Sequence, residues 1–564
     1  MKHLAIAALA ASLVPMAFGA EFRSDDIRLG KPLNSAHLSF SDNIRRFDVK
    51  LAKPMDLSSA AGVAFQVKCA DPQVLTDCWL LFKTGHGYYR ASFPVPKRAG
   101  TWTDAVVLRE DVRLYHWNSH ISLYEVQLKP AQEDLPDWSR VTELQVVFSL
   151  EIDRTTADGS VAVRDFIPLA PDAPQVAAAR AASAALRERQ MSVVRAQPSV
   201  PKGRRFLATH VWGLNWNWDE TCRMLKAGGI TDVIPLMNYS GYAFYRGSKF
   251  EPPSPLMGEH GDGLLLCQAA CRKHGLSCHP WRACWRMSQH TPKDRVERLR
   301  KAGRLQVAFD GSSQYWFCPT HPENVQREID GLLELARFGV RGILLDYFRY
   351  PGDDYCFCPR CRKLFETKVG RAVEPWPGAV RKDAALAAEW SVFRRETLTG
   401  VLRTIRRELR RQAPKLELSA AVTATPQDGE MRGQDWPQWC QENLLDRMFP
   451  MCYYSTSKLL RHDVEVQARV MKGSSTKLCP MTCFACGDIP FLELDEICRQ
   501  IEVVRSFGFE DLGFFRLTEY VPYVLDALRQ GPLAGPAEEG AKLSAAILRV
   551  FETGLADETD LTLP

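Results

Sequence analysis

An aspartate stands at the end of an apolar run near the middle of the chain, where a carboxylate is positioned to do chemistry. Residues 342–345 read Gly-Ile-Leu-Leu, and Asp346 follows directly, ahead of Tyr347 and Arg349. A carboxylate that ends a buried strand is not a solvated surface charge, so it either pairs structurally with Arg349 or faces a site as a catalytic group. The position favours the catalytic role, as a nucleophile or as a stabiliser of developing positive charge.

Hydrogen-bonding and aromatic residues recur at the ends of the other predicted strands. Amide and guanidinium groups bind hydroxyls, and flat aromatic faces stack on the C–H patches of sugar rings. The predicted substrate-binding residues are Asn215, Trp216, Asn238, Tyr239, His279, Trp281, Arg349, Tyr453 and Tyr454. Each alone is more often a packing residue, and it is their recurrence at successive strand ends that favours a binding role.

A group of cysteines follows Asp346 closely. Cys356, Cys358 and Cys361 lie in the loop after the fourth strand, and Cys318 precedes the helix that leads into that strand. Four thiolates would form a closed, structural zinc site with no open position for catalysis. The alternative is a pair of disulfides with partners elsewhere, since a Cys-x-Cys segment is too tight to bridge to itself easily. Either arrangement would hold the loop in place, and no cofactor is predicted for catalysis.

Alternating strands and helices are the elements that would position these residues. Eight apolar strand segments begin near residues 206, 232, 276, 342, 416, 447, 477 and 512, and amphipathic segments such as 324–338 and 392–412 lie between them. Eight such units over residues 205–530 predict an α/β fold, a (β/α)8 TIM barrel with its chemistry at the carboxyl ends of the strands. A doubly wound sheet that binds a dinucleotide is disfavoured, because no Gly-rich phosphate loop follows the first strand.

The regions flanking the predicted barrel have different compositions. Residues 20–168 contain short β-prone runs separated by turn residues, which predicts a β-sandwich. The region resembles jelly-roll, carbohydrate-binding-like domains. Such a domain is about equally well explained as a structural spacer. Residues 169–204 read as a linker with a helix rich in Ala and Arg, and residues 531–564 as a C-terminal tail.

The first residues predict export. Residues 1–19 have a short basic start, an apolar run and small residues before Ala20, which is the pattern of a cleaved signal peptide and indicates a secreted or periplasmic protein. No later run is apolar enough to predict a transmembrane segment. The 72 basic and 67 acidic residues nearly balance and form no basic tract, so a nucleic-acid partner is not predicted. The cysteine count, 17, is odd, so at least one thiol is free or bound to a metal.

Several blocks of sequence resemble the family-10-like glycosyl hydrolases, a group of bacterial secreted proteins. The blocks are residues 274–281, 316–323, 341–351, 433–439 and 445–454. They span most of residues 205–525, and the block that contains Asp346 is the most specific. The resemblance implies a TIM-barrel glycosidase that acts on a bacterial cell-wall glycan or another polysaccharide. It does not identify the sugar or a general acid.

Glycoside hydrolysis commonly needs a second carboxyl group opposite the first. Glu430 follows the fifth strand and Glu519 follows the eighth, and both are predicted catalytic partners of Asp346. Asp435 ranks behind them, because its position before Trp436-Pro437 is better explained as a helix N-cap.

Two other functions remain open from the sequence. A barrel that has kept its groove but lost the acid would bind a polysaccharide or oligosaccharide without cleaving it. A metal-dependent deacetylase would need a cluster of His and Asp residues, and the histidines of this chain form no tight motif.

Overall fold

The computed structural model describes the two regions that carry the predicted sandwich and barrel. The described residues are 44–84, 87–117, 136–150, 161–199, 203–209, 218–454, 456–484, 492–517 and 521–534. Strands β1–β8 belong to one compact unit, and strands β9–β21 belong to a second. The predicted signal peptide and almost all of the predicted tail lie outside the described residues. No helix in the described part of the chain is both long enough and apolar enough to span a membrane.

The first unit consists of two antiparallel sheets. Its strands are β1 Ile44–Met55, β2 Gly62–Cys69, β3 Leu75–Thr84, β4 Gly87–Ser92, β5 Thr103–Leu108, β6 Arg113–Trp117, β7 Val141–Leu150 and β8 Val161–Leu169. The order is β1-β7-β3-β4-β6 in one sheet and β5-β2-β8 in the other. Alternate residues of β2 are buried, as expected for a strand with one face on a core.

Side chains from both sheets share a single core. Phe65 of β2 stacks on Phe166 of β8 at 5.0 Å between ring centroids, and its ring also meets Phe93 edge-on at 4.9 Å. Phe93 directly follows β4, in the sheet opposite β2 and β8, and it also contacts Phe148 of β7 in that same sheet. Two sheets around one apolar layer form a β-sandwich, so the predicted class of this region is confirmed. Helix α1, Pro174–Ala196, follows it and is the helix rich in Ala and Arg that was predicted within residues 169–204.

The second unit alternates strands and helices. Its strands are β9 Arg205–Thr209, β10 Asp232–Tyr239, β11 Tyr242–Ala243, β12 Ser277–Cys278, β13 Trp281–Ala283, β14 Leu305–Val307, β15 Ser313–Phe317, β16 Gly342–Asp346, β17 Glu417–Val422, β18 Arg447–Pro450, β19 Lys477–Leu478, β20 Met481–Cys483 and β21 Leu512–Phe515. Its helices are α2 Trp218–Ala227, α3 Gly263–Lys273, α4 Lys293–Lys301, α5 Pro322–Ala336, α6 Pro359–Val369, α7 Gly378–Lys382, α8 Ala384–Gln412, α9 Pro426–Met431, α10 Trp436–Gln441, α11 Ser457–Val470, α12 Leu494–Ser506 and α13 Val521–Leu528.

The parallel strands of this unit close into a barrel. Their order is β19-β18-β17-β16-β13-β10-β9-β21-β20, and every neighbouring pair is parallel. The path begins at β19 and ends at β20, which are two parts of one strand interrupted at Cys479-Pro480. The nine segments are therefore eight strands, and the sheet returns to its own start. The predicted (β/α)8 barrel is confirmed, and Asp346 ends its fourth strand.

Candidate active site

Asp346 lies at the carboxyl end of β16, and its environment is buried but not apolar. Only 6% of the residue is exposed. One carboxylate oxygen accepts a hydrogen bond of 2.6 Å from the backbone N–H of Tyr347, and the indole of Trp281 on β13 lies beside the same carboxyl group. Tyr347 adopts a φ of 52°, in the left-handed region that side chains rarely occupy. Such backbone strain is concentrated at functional sites, where the surrounding structure holds it.

Burial and two arginines act on the Asp346 carboxyl in opposite directions. Burial raises the pKa of Asp346, and the Arg349 and Arg286 guanidinium groups oppose this, with a net pKa above the usual value. Removal of a carboxylate from water disfavours its charged form, whereas nearby cations favour it. A raised pKa favours the protonated form of the carboxyl, which is the form that a general acid needs.

Aromatic rings and Arg286 surround the carboxyl. Arg286 donates a hydrogen bond of 2.6 Å to the Tyr347 hydroxyl, and its guanidinium lies over the rings of Tyr347 and Tyr239, 4.7 and 5.3 Å from the centroids. Arg349 lies 5.1 Å from the centroid of the Tyr347 ring. The pKa of Tyr239 is raised, mainly by burial, and the negative charge of Asp346 also raises it.

A second group of rings extends from Trp281 across the barrel. Trp281 meets Phe515, the last residue of β21, at 6.0 Å between centroids, and Tyr453 stacks on Phe515 at 4.8 Å. The structure therefore brings together four predicted residues, Asp346, Tyr239, Trp281 and Arg349, with Tyr453 beyond Phe515. Sequence reasoning missed Arg286, Tyr347 and Phe515 as members of the site. Their positions in the sequence could have indicated them, since each residue ends a barrel strand or follows one closely.

His279 is not placed near Asp346. It precedes β13, and its Nε2 lies 2.9 Å from the carboxylate of Asp232, the first residue of β10, and 2.8 Å from a guanidinium nitrogen of Arg204. These residues lie at the amino ends of the strands, where residues of a barrel serve stability rather than catalysis. The structure therefore buries His279 in a charged cluster and does not bring it together with Asp346.

Asn238 and Tyr454 have their polar groups engaged within the protein. The Asn238 amide accepts from the backbone N–H of Ala283 at 2.9 Å and donates to the Ala283 carbonyl at 3.0 Å and to Glu251. The Tyr454 hydroxyl donates to Asp463 on α11. Asn238 therefore joins β10 to β13, and Tyr454 fixes a helix. The binding of substrate by these two residues stays a prediction.

The residues predicted as the second catalytic carboxyl group lie in different parts of the barrel unit, and one lies outside the described residues. Glu430 lies on α9 with its side chain half exposed, and it forms an ion pair of 2.5 Å with Arg395 on α8 rather than meeting Asp346. Asp435 caps α10 by accepting from the backbone N–H of Gln438, as predicted. Glu519 lies outside the described residues, as do Asn215 and Trp216.

The four cysteines of the predicted metal site converge. The thiols of Cys318, Cys356, Cys358 and Cys361 are buried, and all lie within 4.8 Å of one another. The Cys318 sulfur is 3.6 Å from Cys361, 3.8 Å from Cys358 and 3.9 Å from Cys356. A zinc ion about 2.3 Å from each sulfur would separate the sulfurs by about 3.8 Å.

Backbone hydrogen bonds support these thiols as ligands. Cys358 caps α6 and accepts from the N–H of Cys361 at 3.4 Å, and Cys356 accepts from the N–H of Val307 at the same distance. A helix N-terminus stabilises a thiolate. A disulfide needs sulfurs about 2.05 Å apart, so the arrangement fits a structural zinc site and not two disulfides among these four residues.

Comparisons with known proteins give distant structural neighbours only. No family model matches the sequence, and no curated protein sequence matches it. The assignment to the family-10-like glycosyl hydrolases therefore stays a prediction. The structure is similar to a β-galactosidase from Bacillus circulans sp. alkalophilus, at 15% identity and a TM-score of 0.42, over 63% of this chain and 57% of that one.

Two further neighbours have similar statistics. A β-galactosidase from the psychrophilic Marinomonas ef1 has 12% identity and a TM-score of 0.42, over 64% of this chain and 62% of its own. The spore cortex-lytic enzyme SleL from Bacillus megaterium QM B1551 has 10% identity and a TM-score of 0.35, over 68% of this chain and 79% of its own. The chain thus spans less than two thirds of the length of both β-galactosidases.

Proposed function

We propose that the barrel is a glycoside hydrolase that cleaves O-glycosidic bonds of a polysaccharide or cell-wall glycan, with Asp346 as one catalytic carboxyl. The observation that carries the proposal is the buried Asp346 carboxyl at the carboxyl end of a barrel strand, with aromatic rings and two arginines around it. Barrel enzymes act at this end of the strands. Export to the periplasm or the medium belongs to the same proposal, because such glycans lie outside the cytoplasmic membrane.

Asp346 acts in this proposal as the proton donor. Burial raises the pKa of its carboxyl, and a raised pKa favours the protonated form that a general acid uses. This role replaces the nucleophile or charge-stabilising role that the sequence suggested. The proton passes to the glycosidic oxygen as its bond to the anomeric carbon breaks, and the hydrogen bond from the Tyr347 N–H stabilises the carboxylate that remains. The anomeric carbon ends bonded to the oxygen of a water molecule, and a proton of that water returns to the carboxyl pair.

Glu519 is the proposed second carboxyl. It follows β21 in sequence, and the last residue of β21, Phe515, contacts Trp281, which lies beside Asp346. Glycosidases commonly need a second carboxyl group, and Glu519 is the carboxylate that follows this strand most closely in sequence. The rings of Tyr239, under Arg286, and of Tyr453, stacked on Phe515, would stack on the sugar faces.

The test is the release of reducing ends from a panel of polysaccharides, including peptidoglycan glycan strands. Wild type, Asp346→Asn and Glu519→Gln are compared, with Asp310→Asn as a matched control. The Asp310 carboxylate is exposed and accepts hydrogen bonds from Ser312, two residues further along the chain. We expect wild type and Asp310→Asn to release reducing ends, and Asp346→Asn to lose at least about 100-fold in rate while keeping its thermal midpoint.

The other outcomes are equally informative. Full activity of a folded Asp346→Asn variant would remove this carboxyl from the mechanism. Binding of a glycan without cleavage, by wild type and variant alike, would favour a non-catalytic polysaccharide-binding barrel.

A further inference from the structure

Three buried thiols meet on the side of the barrel formed by α3 and β12, apart from the cysteines that follow Asp346. Cys267 and Cys271 lie on α3, and Cys278 ends β12. Their sulfurs all lie within 4.8 Å of one another, and each residue is at most 2% exposed. The spacing of four residues places Cys267 and Cys271 on one face of the helix, directed at the strand.

A fourth thiol reaches the same place from the preceding helix. Cys222 lies on α2 and is fully buried, and its sulfur is 3.8 Å from that of Cys271. The mutual distances below 4.8 Å hold for Cys267, Cys271 and Cys278, and Cys222 joins this trio through Cys271. Four buried cysteines from two helices and a strand therefore lie next to one another, although they are dispersed over more than fifty residues of sequence.

The separation of the sulfurs distinguishes a metal site from a disulfide. A disulfide joins sulfurs about 2.05 Å apart. Sulfurs that bind one zinc ion tetrahedrally are about 3.8 Å apart, because each Zn–S bond is about 2.3 Å long. The 3.8 Å between the sulfurs of Cys222 and Cys271 matches the separation in a zinc site. The same holds for the Cys318 cluster, which consists of Cys318, Cys356, Cys358 and Cys361.

We infer that Cys222, Cys267, Cys271 and Cys278 bind a second structural zinc ion, which joins α2, α3 and β12. Each thiol loses its proton to solvent as the metal binds, so the site carries four thiolates around one divalent cation. With four protein ligands the site has no open position, so it stabilises the barrel and does no chemistry. The inference is independent of the proposed hydrolysis at Asp346.

The experiment measures zinc in the purified full-length chain by elemental analysis, for wild type, Cys271→Ala and Cys440→Ala. Cys440 is equally buried, on α10, and its thiol contacts Met448 rather than other cysteines, so its replacement leaves a matched cavity. We expect Cys271→Ala to bind about one zinc ion fewer per chain than wild type, and Cys440→Ala to bind as much as wild type. Equal zinc in Cys271→Ala and wild type would overturn the inference.

A second measurement applies to wild type alone and does not depend on the folding of a variant. Cysteines are alkylated in the native protein before and after zinc is removed by a chelator, and the labelled peptides are identified by mass spectrometry. Protection of the four thiols that is lost with the metal is the expected result. A disulfide between any two of them in the untreated protein, or labelling that is indifferent to the chelator, would contradict the site.

Discussion

At the scale of single residues, the acid–base behaviour of Asp346 is set by the groups around it. Burial raises its pKa, and Arg349 is the strongest influence in the other direction, followed by the N–H of Tyr347 and by Arg286. A general acid works only while protonated, so activity is present below the pKa of Asp346 and is lost as the pH rises through it. A nucleophile would show the opposite dependence, with activity lost as the pH falls.

Arg349→Gln is expected to move the alkaline limb of the pH profile of kcat/KM to higher pH. Removal of the guanidinium removes an influence that lowers the pKa of Asp346, so the carboxyl stays protonated to higher pH. The measurement is kcat/KM against pH on the glycan that wild type cleaves. Arg349→Lys keeps the positive charge and is expected to keep the limb near its wild-type position.

Whether Arg349→Gln moves the alkaline or the acidic limb of the pH profile of kcat/KM decides the role of Asp346. Movement of the acidic limb to higher pH would show that the ionised form is required and would return Asp346 to a nucleophilic role. A profile that is unchanged in both limbs would contradict any catalytic titration of this carboxyl.

At the scale of elements, the loop after β16 is held to the hairpin β14–β15 and to α6 by the Cys318 cluster. Cys361→Ala is expected to bind about one zinc ion fewer per chain than wild type, because it removes one of four ligands and the resulting site is incomplete. Elemental analysis measures this, again with Cys440→Ala as the control. A fully metallated Cys361→Ala variant, or a wild type without metal, would exclude zinc at this cluster.

The amino ends of the strands are joined by charged side chains. Burial would raise the pKa of Asp232, but hydrogen bonds from His279 and Arg204 lower it well below its usual value. Asp232→Asn is expected to lower the free energy of unfolding by about 3–5 kcal/mol at neutral pH, because it leaves its buried partners without the carboxylate. Denaturant titration measures the change.

The control for this prediction is Asp219→Asn on α2, where Lys273 and His274 bind a half-exposed carboxylate. Its cost is expected to be below about 1 kcal/mol. Because the folded-state pKa of Asp232 is lowered, its stabilisation is present above about pH 4 and is lost as the pH falls further. The difference between wild type and Asp232→Asn should therefore shrink in acid, and a constant difference would contradict the ion pair as its source.

At the scale of the whole molecule, closure of the sheet decides which side chains meet. β19 pairs with β18 and β20 pairs with β21, so a single interrupted strand joins the two ends of the parallel sheet. The ends of β13, β16 and β21 are thereby brought around one axis. Trp281 contacts Asp346 on one side and Phe515 on the other as a result of this closure.

Local sequence patterns determined the elements. Apolar runs of strand length and amphipathic segments of helix length depend on residues close in sequence, so the eight strand positions agree with the structure. The place of Asp346 at the end of the fourth strand was predicted for the same reason, because it directly ends such a run. The N-cap role of Asp435 and the grouping of Cys356, Cys358 and Cys361 are also local, and both were predicted correctly.

Only the tertiary structure decided the direction and partners of side chains that meet over long sequence distances. His279 bonds to Asp232 at the amino ends of the strands, and the Asn238 amide is used by the backbone of a neighbouring strand. Cys222 meets Cys271 only because α2 and α3 pack together. Such contacts follow from strand register and barrel closure, which depend on the whole sheet and not on spacing along one segment.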